Sequence, residues 1–182
     1  VSIEATRRIL AIARGAGQPI HLMHVSGAKE LGMIAAYKEL TTVSLSPHHL
    51  FLSGPECYQH FREYAQLDPP VRNEENRIGL WKALSSGIVD MVASYHMPIT
   101  TYDKEHTYPK SKSGAPSVQT MLPLMLDQIN NGSLSLNAVL DLTSAGPARA
   151  FNIAGKGRIA VGYDADLAIF NLTEKWTLQD DD

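Results

Sequence analysis

Imidazole can bind a borderline metal or move a proton at neutral pH, and this sequence carries seven histidines. Several follow apolar runs. His24 closes Ile20-His21-Leu22-Met23-His24, His48 and His49 follow Thr42-Val43-Ser44-Leu45, and His96 follows the run from Ile88 to Ala93 within Ser94-Tyr95-His96-Met97-Pro98-Ile99. The C-terminal end of a buried strand is where α/β barrels build their sites. His24 is therefore a candidate ligand for a metal such as zinc, with a hydrogen-bonded structural role as the alternative. In a regular strand His21 points to the opposite face from His24 and is expected to be structural. His48 and His49 diverge if extended, so they read as shape-holding residues. His60 and His106 lie in polar segments and read as surface residues. Leu67-Asp68-Pro69-Pro70-Val71-Arg72 is a stiff loop, because each proline fixes its own φ and restricts its predecessor. Taken alone, it reads as a turn.

Composition narrows the function classes. The 182 residues suffice for one domain with a core but fall short of the ~250 of a complete eight-stranded α/β barrel. With Val1 as the first residue, the chain is expected to be a fragment or processed piece of a longer protein. A formal net charge of −3 and a pI near 6.2 leave no basic footprint for nucleic acid or an anionic membrane surface. Cys57 is the single cysteine and cannot form an internal disulfide. No apolar run approaches the ~20 residues needed to cross a bilayer. A reducing, cytoplasmic setting is the expectation.

The elements that must position these residues follow from periodicity. A helix is expected from Ser2 to the Gly15-Ala16-Gly17 stop, a strand from Pro19 to Val25, a helix from Ala28 to Leu40 and a strand from Thr42 to Leu45. Ser53 to Gln66 reads as a helical insertion. Glu74 to Leu84 reads as a helix with Ile78, Leu80, Trp81 and Leu84 inward, and Ile88 to Ala93 as the third strand. Strands alternating with helices predict a parallel sheet. The long loop from Met97 to Pro116 is expected to be functional or disordered. Helices follow at Val118 to Asn130 and, capped by Ser135, at Leu136 to Thr143. Gly157 to Phe170 reads as two strands joined at Gly162-Tyr163-Asp164, in need of further strands to pair with.

Six blocks occur in one order across nearly the whole chain: His24-Val25-Ser26, Ser46-Pro47-His48-His49-Leu50, Asp68-Pro69-Pro70-Val71-Arg72, Ser94 to Pro98, Ser113 to Thr120, and Gly155 to Leu167. In that order they resemble the dihydroorotases, cyclic amidohydrolases of pyrimidine synthesis. The resemblance implies a partial TIM (β/α)8 barrel of the metal-dependent amidohydrolase type over 1–152, and strands of a small β subdomain over 153–182. It implies that His24 matches a metal-binding histidine after the sixth barrel strand, and that Tyr95 stands where the eighth strand presents a metal-binding, proton-shuttling aspartate. It also places Asp68, Ile99, Ser113 and Gly114 at substrate-binding positions, and makes zinc the expected cofactor.

The departures from that family concentrate at the chemistry. Members usually carry Asn at the Asp68 position, Asp at Tyr95, His at Ile99, and Gly-Val-Glu-Thr where this chain has Ser117-Val118-Gln119-Thr120. A phenol with an unperturbed pKa near ~10 is a poor proton acceptor at neutral pH. Asp68 repels an anionic substrate, and Ile99 offers a carboxylate nothing. The expectation is a catalytically impaired relative that binds zinc weakly or not at all and acts as a structural or regulatory partner. Its expected partners are the missing N-terminal half of the barrel and an aspartate transcarbamoylase, with homo-oligomerisation when full length. The alternative is an active zinc-dependent cyclic amidohydrolase, on dihydroorotate or a changed ring amide, once that half is present.

Overall fold

The computed structural model describes residues 1–179, beginning with helix α1 (Ser2–Ala16). Gly17 ends it in the left-handed region at φ 64°, which glycine adopts without a Cβ penalty. Leu10 and Ala13 face the core, whereas Ile9 and Ile12 lie exposed. Strand β1 (Ile20–Leu22) follows, then α2 (Ala28–Ile34), which buries Leu31 and Ile34. The helix expected to reach Leu40 changes at Ala35 into a 3-10 segment, Ala35–Leu40, broken by non-helical backbone at Tyr37. That tightening turns the chain into strand β2 (Thr41–Leu45).

Helices α3 (Pro47–Phe51) and α4 (Glu56–Phe61), a 3-10 turn (Arg62–Ala65) and α5 (Glu74–Ser85) lead to strand β3 (Met91–Val92). The outer strands are shorter than the apolar runs that announced them. All three strands are parallel in the order β1-β2-β3, with Ile20 opposite Thr41 and Ser44 opposite Met91. The α/β class and parallel sheet follow the sequence reading.

The core lies where helices meet this sheet. Leu10, Leu31, Ile34, Leu80 and Met125 surround Val43 and Leu45 of β2, all at 1% exposure or less. Each fully buried side chain of this kind contributes roughly 2 kcal/mol. Ile78, expected inward, is 43% exposed, while Leu80, Ala83 and Leu84 of α5 take the buried positions. At the N-terminal edge of the sheet, Asp90 accepts from the Val43 amide at 2.7 Å and pairs with Lys38, tying the start of β3 to β2.

Beyond β3 come α6 (Thr101–Lys104) within the long loop, α7 (Val118–Asn130) and α8 (Leu136–Leu140). A π-turn (Asp141–Ala145) then leads into α9 (Gly146–Ala150). A Cβ on Gly146 would lie 2.2 Å from the Asp90 carbonyl oxygen, so the close approach of α9 to the sheet requires glycine there. The two strands expected between Gly157 and Phe170 do not form; the described residues after α9 are turns and irregular backbone. Ile159, Val161 and Ile169 are 89%, 105% and 99% exposed. A strand needs a neighbour for its amides and a surface for its apolar face, and the described residues supply neither. The last part of the expected subdomain, 180–182, lies outside the described residues.

Candidate functional site

The C-terminal ends of β1 and β3 each deliver one residue in the left-handed region: His24 at φ 38°, two residues beyond β1, and Tyr95 at φ 49°, three beyond β3. Such backbone costs about 1 kcal/mol or more for a non-glycine residue and persists only where its surroundings hold it. Here each residue holds the other. The His24 amide donates to the Tyr95 hydroxyl at 3.0 Å, and the two rings meet edge to face at 4.9 Å. The Tyr95 hydroxyl also bonds the Ser44 hydroxyl. Ser44 reaches His21 Nε2 at 2.8 Å, and His21 Nδ1 reaches Thr42 Oγ1 at 2.8 Å. Thr42 and Ser44 are two apart on β2 and share a face, which is why one imidazole spans them. Burial lowers the His21 pKa, Asp90 partly opposes that, and Lys38 adds to it. His21 is thus structural, as its strand position predicted.

The adjacent histidines follow the same logic. Ser46 caps α3, accepting from the His49 amide, and its hydroxyl lies 2.6 Å from His49 Nδ1. His49 Nε2 lies 2.9 Å from the Pro69 carbonyl, which only accepts, so Nε2 carries the proton and Nδ1 accepts from Ser46. Burial lowers the His49 pKa to about 4, mostly by desolvation. His48 bonds the Pro116 backbone and is likewise pushed below its ordinary value by burial. Both hold shape. His96 Nδ1 accepts from the Ser117 and Val118 amides at 3.0 and 3.2 Å, serving as a cap for α7.

The long loop closes against the segment before Asp68. Lys104 is buried and donates to the Tyr64 and Gln66 carbonyls at 3.4 and 2.9 Å; desolvation lowers its pKa. The Gly114 amide donates to the Gln66 carbonyl at 3.1 Å, and the Met97 amide to the Ala115 carbonyl at 3.0 Å. Gly114 sits at φ 143°, where a Cβ would come within 2.9 Å of the Met97 carbonyl oxygen. The loop expected to be functional or disordered is an ordered wall.

Between this wall and the strand ends lies a cavity of about 420 Å³. Of the residues singled out in the sequence, His24, His48, His49, Asp68, Tyr95, His96, Ser113 and Gly114 line it. Ile99 does not; it packs behind Gly114, with Cγ1 3.0 Å from where a Cβ would stand. Sequence reasoning missed Met23, Leu67 and Met97 in the lining. Met23 and Met97 each neighbour a singled-out residue, but nothing in the sequence tells which way such side chains face once the strand has ended. It also missed the Tyr95–Ser44–His21 connection, for which the alternating hydroxyls Thr42 and Ser44 were the signal. A wider groove of about 750 Å³ shares Leu67, Asp68 and Ser113 with the cavity.

The donor set falls short of what the zinc implied by the resemblance requires. Among the described residues no group of three or more His, Cys, Asp or Glu side chains is placed to hold a metal ion. Catalytic zinc takes three protein ligands; of the four lining histidines, His48, His49 and His96 are engaged with neighbouring groups, and the His24 ring left beside a committed phenol does not fit it. The His24 ring makes no hydrogen bond among the described residues, so it remains available to the cavity. No helix among them is long and apolar enough to cross a membrane.

Comparison with known proteins agrees with the α/β fold. The L-hydantoinase (dihydropyrimidinase) from Arthrobacter aurescens superposes with a TM-score of 0.84 at 30% identity, covering 90% of this chain and 38% of that one. The dihydropyrimidinase from Brevibacillus agri gives 0.81 at 28% identity, with the same coverage. In sequence, the dihydroorotases of Halobacterium salinarum and Pyrococcus furiosus are 35% and 33% identical over 98% of this chain. The chain spans only 42% and 41% of those relatives' lengths. The family model described as the amidohydrolase family matches residues 8–181. With that match running through both strand-end residues and the loop that walls the cavity, the chain belongs to the amidohydrolase family.

Proposed function

We propose that the chain is the C-terminal part of a dihydroorotase-like amidohydrolase of pyrimidine biosynthesis whose ring-opening chemistry is impaired, and that it acts as a structural or regulatory partner. Its three strands correspond in this reading to the last three of a TIM barrel. The observation that carries it is the commitment of Tyr95: its hydroxyl is taken up by Ser44 and by the His24 amide. A phenol so bound, with no carboxylate in its place, supplies neither a proton acceptor nor a metal ligand. An aspartate transcarbamoylase is the partner that the reading favours.

The free imidazole of His24 favours a second reading. In it, the chain completes a zinc-dependent cyclic amidohydrolase site when the rest of a barrel supplies the other ligands. One assay separates the two: ring opening of dihydroorotate by the chain together with the rest of its barrel, zinc present, beside a Tyr95→Phe variant. The first reading expects no turnover above the blank from either. Robust turnover that a chelator abolishes would overturn it.

A further inference from the structure

The charges around the cavity carry an inference about what it binds. Among the described residues its lining contains one carboxylate, Asp68, and no lysine or arginine. Two cations close by are committed elsewhere, Lys104 to the Tyr64 and Gln66 carbonyls and Arg72 Nε to Ser26 Oγ at 3.2 Å, and Arg62 lines the adjoining groove rather than this cavity. Two of the neighbouring loop amides are spent as well, Gly114 on Gln66 and Met97 on Ala115. Three of the four lining histidines are already engaged, and only the His24 ring is free of hydrogen bonds among the described residues. His49 is neutral with both ring nitrogens engaged, His48 is bonded to Pro116, and His96 uses Nδ1 as an acceptor.

A bound carboxylate requires charge-assisted donors to replace its water. In this cavity it would find none from a lysine or arginine, and it would share the space with Asp68. A ring N–H, by contrast, gives the Asp68 carboxylate a donor where none of the described residues does, while Met23, Leu67, Met97 and the Tyr95 ring supply apolar faces. A volume of about 420 Å³ suits a single small ring.

We infer that the cavity selects an uncharged ring bearing N–H donors over the same ring bearing a carboxylate, and that Asp68 is the discriminating residue. The inference rests on reading this cavity as the ring-amide site and names the ligand class that it retains.

The test is a binding measurement, independent of turnover. Calorimetric titration of the full chain at neutral pH with dihydrouracil and with dihydroorotate compares one ring without and with its carboxylate. Dihydrouracil is expected to bind roughly tenfold more tightly, the effect of one partly screened like-charge contact. Asp68→Asn erases the preference, chiefly by strengthening dihydroorotate, and Asp68→Glu retains it. In the unsubstituted chain the preference shrinks as salt is raised, which tests the charge without any substitution. Dihydroorotate binding as tightly as dihydrouracil, a ratio unmoved by Asp68→Asn or by salt, or binding of neither ring overturns the inference. Ring opening of dihydroorotate counts against the proposed function and is read separately from the ratio.

Discussion

Tyr95 joins three elements through one oxygen, and its removal should be felt in stability rather than in catalysis. Tyr95→Phe leaves the His24 amide without its partner and the Ser44 hydroxyl with His21 alone. An orphaned buried group costs about 1–3 kcal/mol, so denaturant unfolding should show a loss of about 2 kcal/mol; a variant within a few tenths of the parent would mean that the hydroxyl is not holding the strand ends. His49 makes a second residue-scale prediction. Its folded pKa is about 4 against an ordinary 6.5, so the unfolded chain binds the extra proton between those values. The neutral buried ring therefore contributes stability in full above pH 6.5 and loses it progressively as pH falls toward 4. The whole effect is about 3 kcal/mol, and His49→Asn should flatten that part of the pH–stability curve even if the variant starts lower. Zinc supplies the third. With His24 the one candidate ligand identified in the site, zinc should bind weakly to the purified chain and be lost on dialysis; stoichiometric retention measured by elemental analysis would contradict this.

At the scale of elements, periodicity and caps were legible where a local rule decides. The Gly17 stop, the Ser135 cap of α8 and the span of α7 follow from residue type, and the structure repeats them. Short elements were not legible. Helix α3 depends on Ser46 serving both as cap and as partner to His49, a tertiary arrangement that no window of apolar residues reports. The break at Tyr37 is set by contacts from α1: the Arg14 guanidinium lies 3.7 Å from the Tyr37 ring centroid and donates to the Ala36 carbonyl at 3.0 Å. The candidate site divides the same way. His24, Asp68, Tyr95, Ser113 and Gly114 were identifiable one by one, whereas the direction of Ile99, behind the wall, is fixed by loop packing. Gly114→Ala tests that wall. The added Cβ meets the Met97 carbonyl in backbone that alanine rarely adopts, so limited proteolysis should begin to nick the chain between Met97 and Pro116. Cleavage rates equal to those of the parent would show that the loop's order does not depend on Gly114.

For the whole molecule, the sheet decides behaviour in solution. β2 is paired on both sides, but β1 and β3 each present an outer edge among the described residues. A strand edge with free N–H and C=O groups is a template for another strand. The tail compounds this, because Ile159, Val161 and Ile169 stand almost fully exposed in a segment whose residue pattern favours strands. Apolar surface of that kind is an association site. The 182-residue chain alone is therefore expected to associate at moderate concentration. Dilution should shift its distribution in size-exclusion chromatography with light scattering, and the melting temperature should rise with protein concentration as mass action requires. Charge substitutions at Val161 and Ile169, both solvent-facing here and free of core contacts, should reduce association without lowering the stability of the core around β2. A strictly monomeric species with a single cooperative, concentration-independent melt would mean that these edges and the tail are already satisfied within one copy.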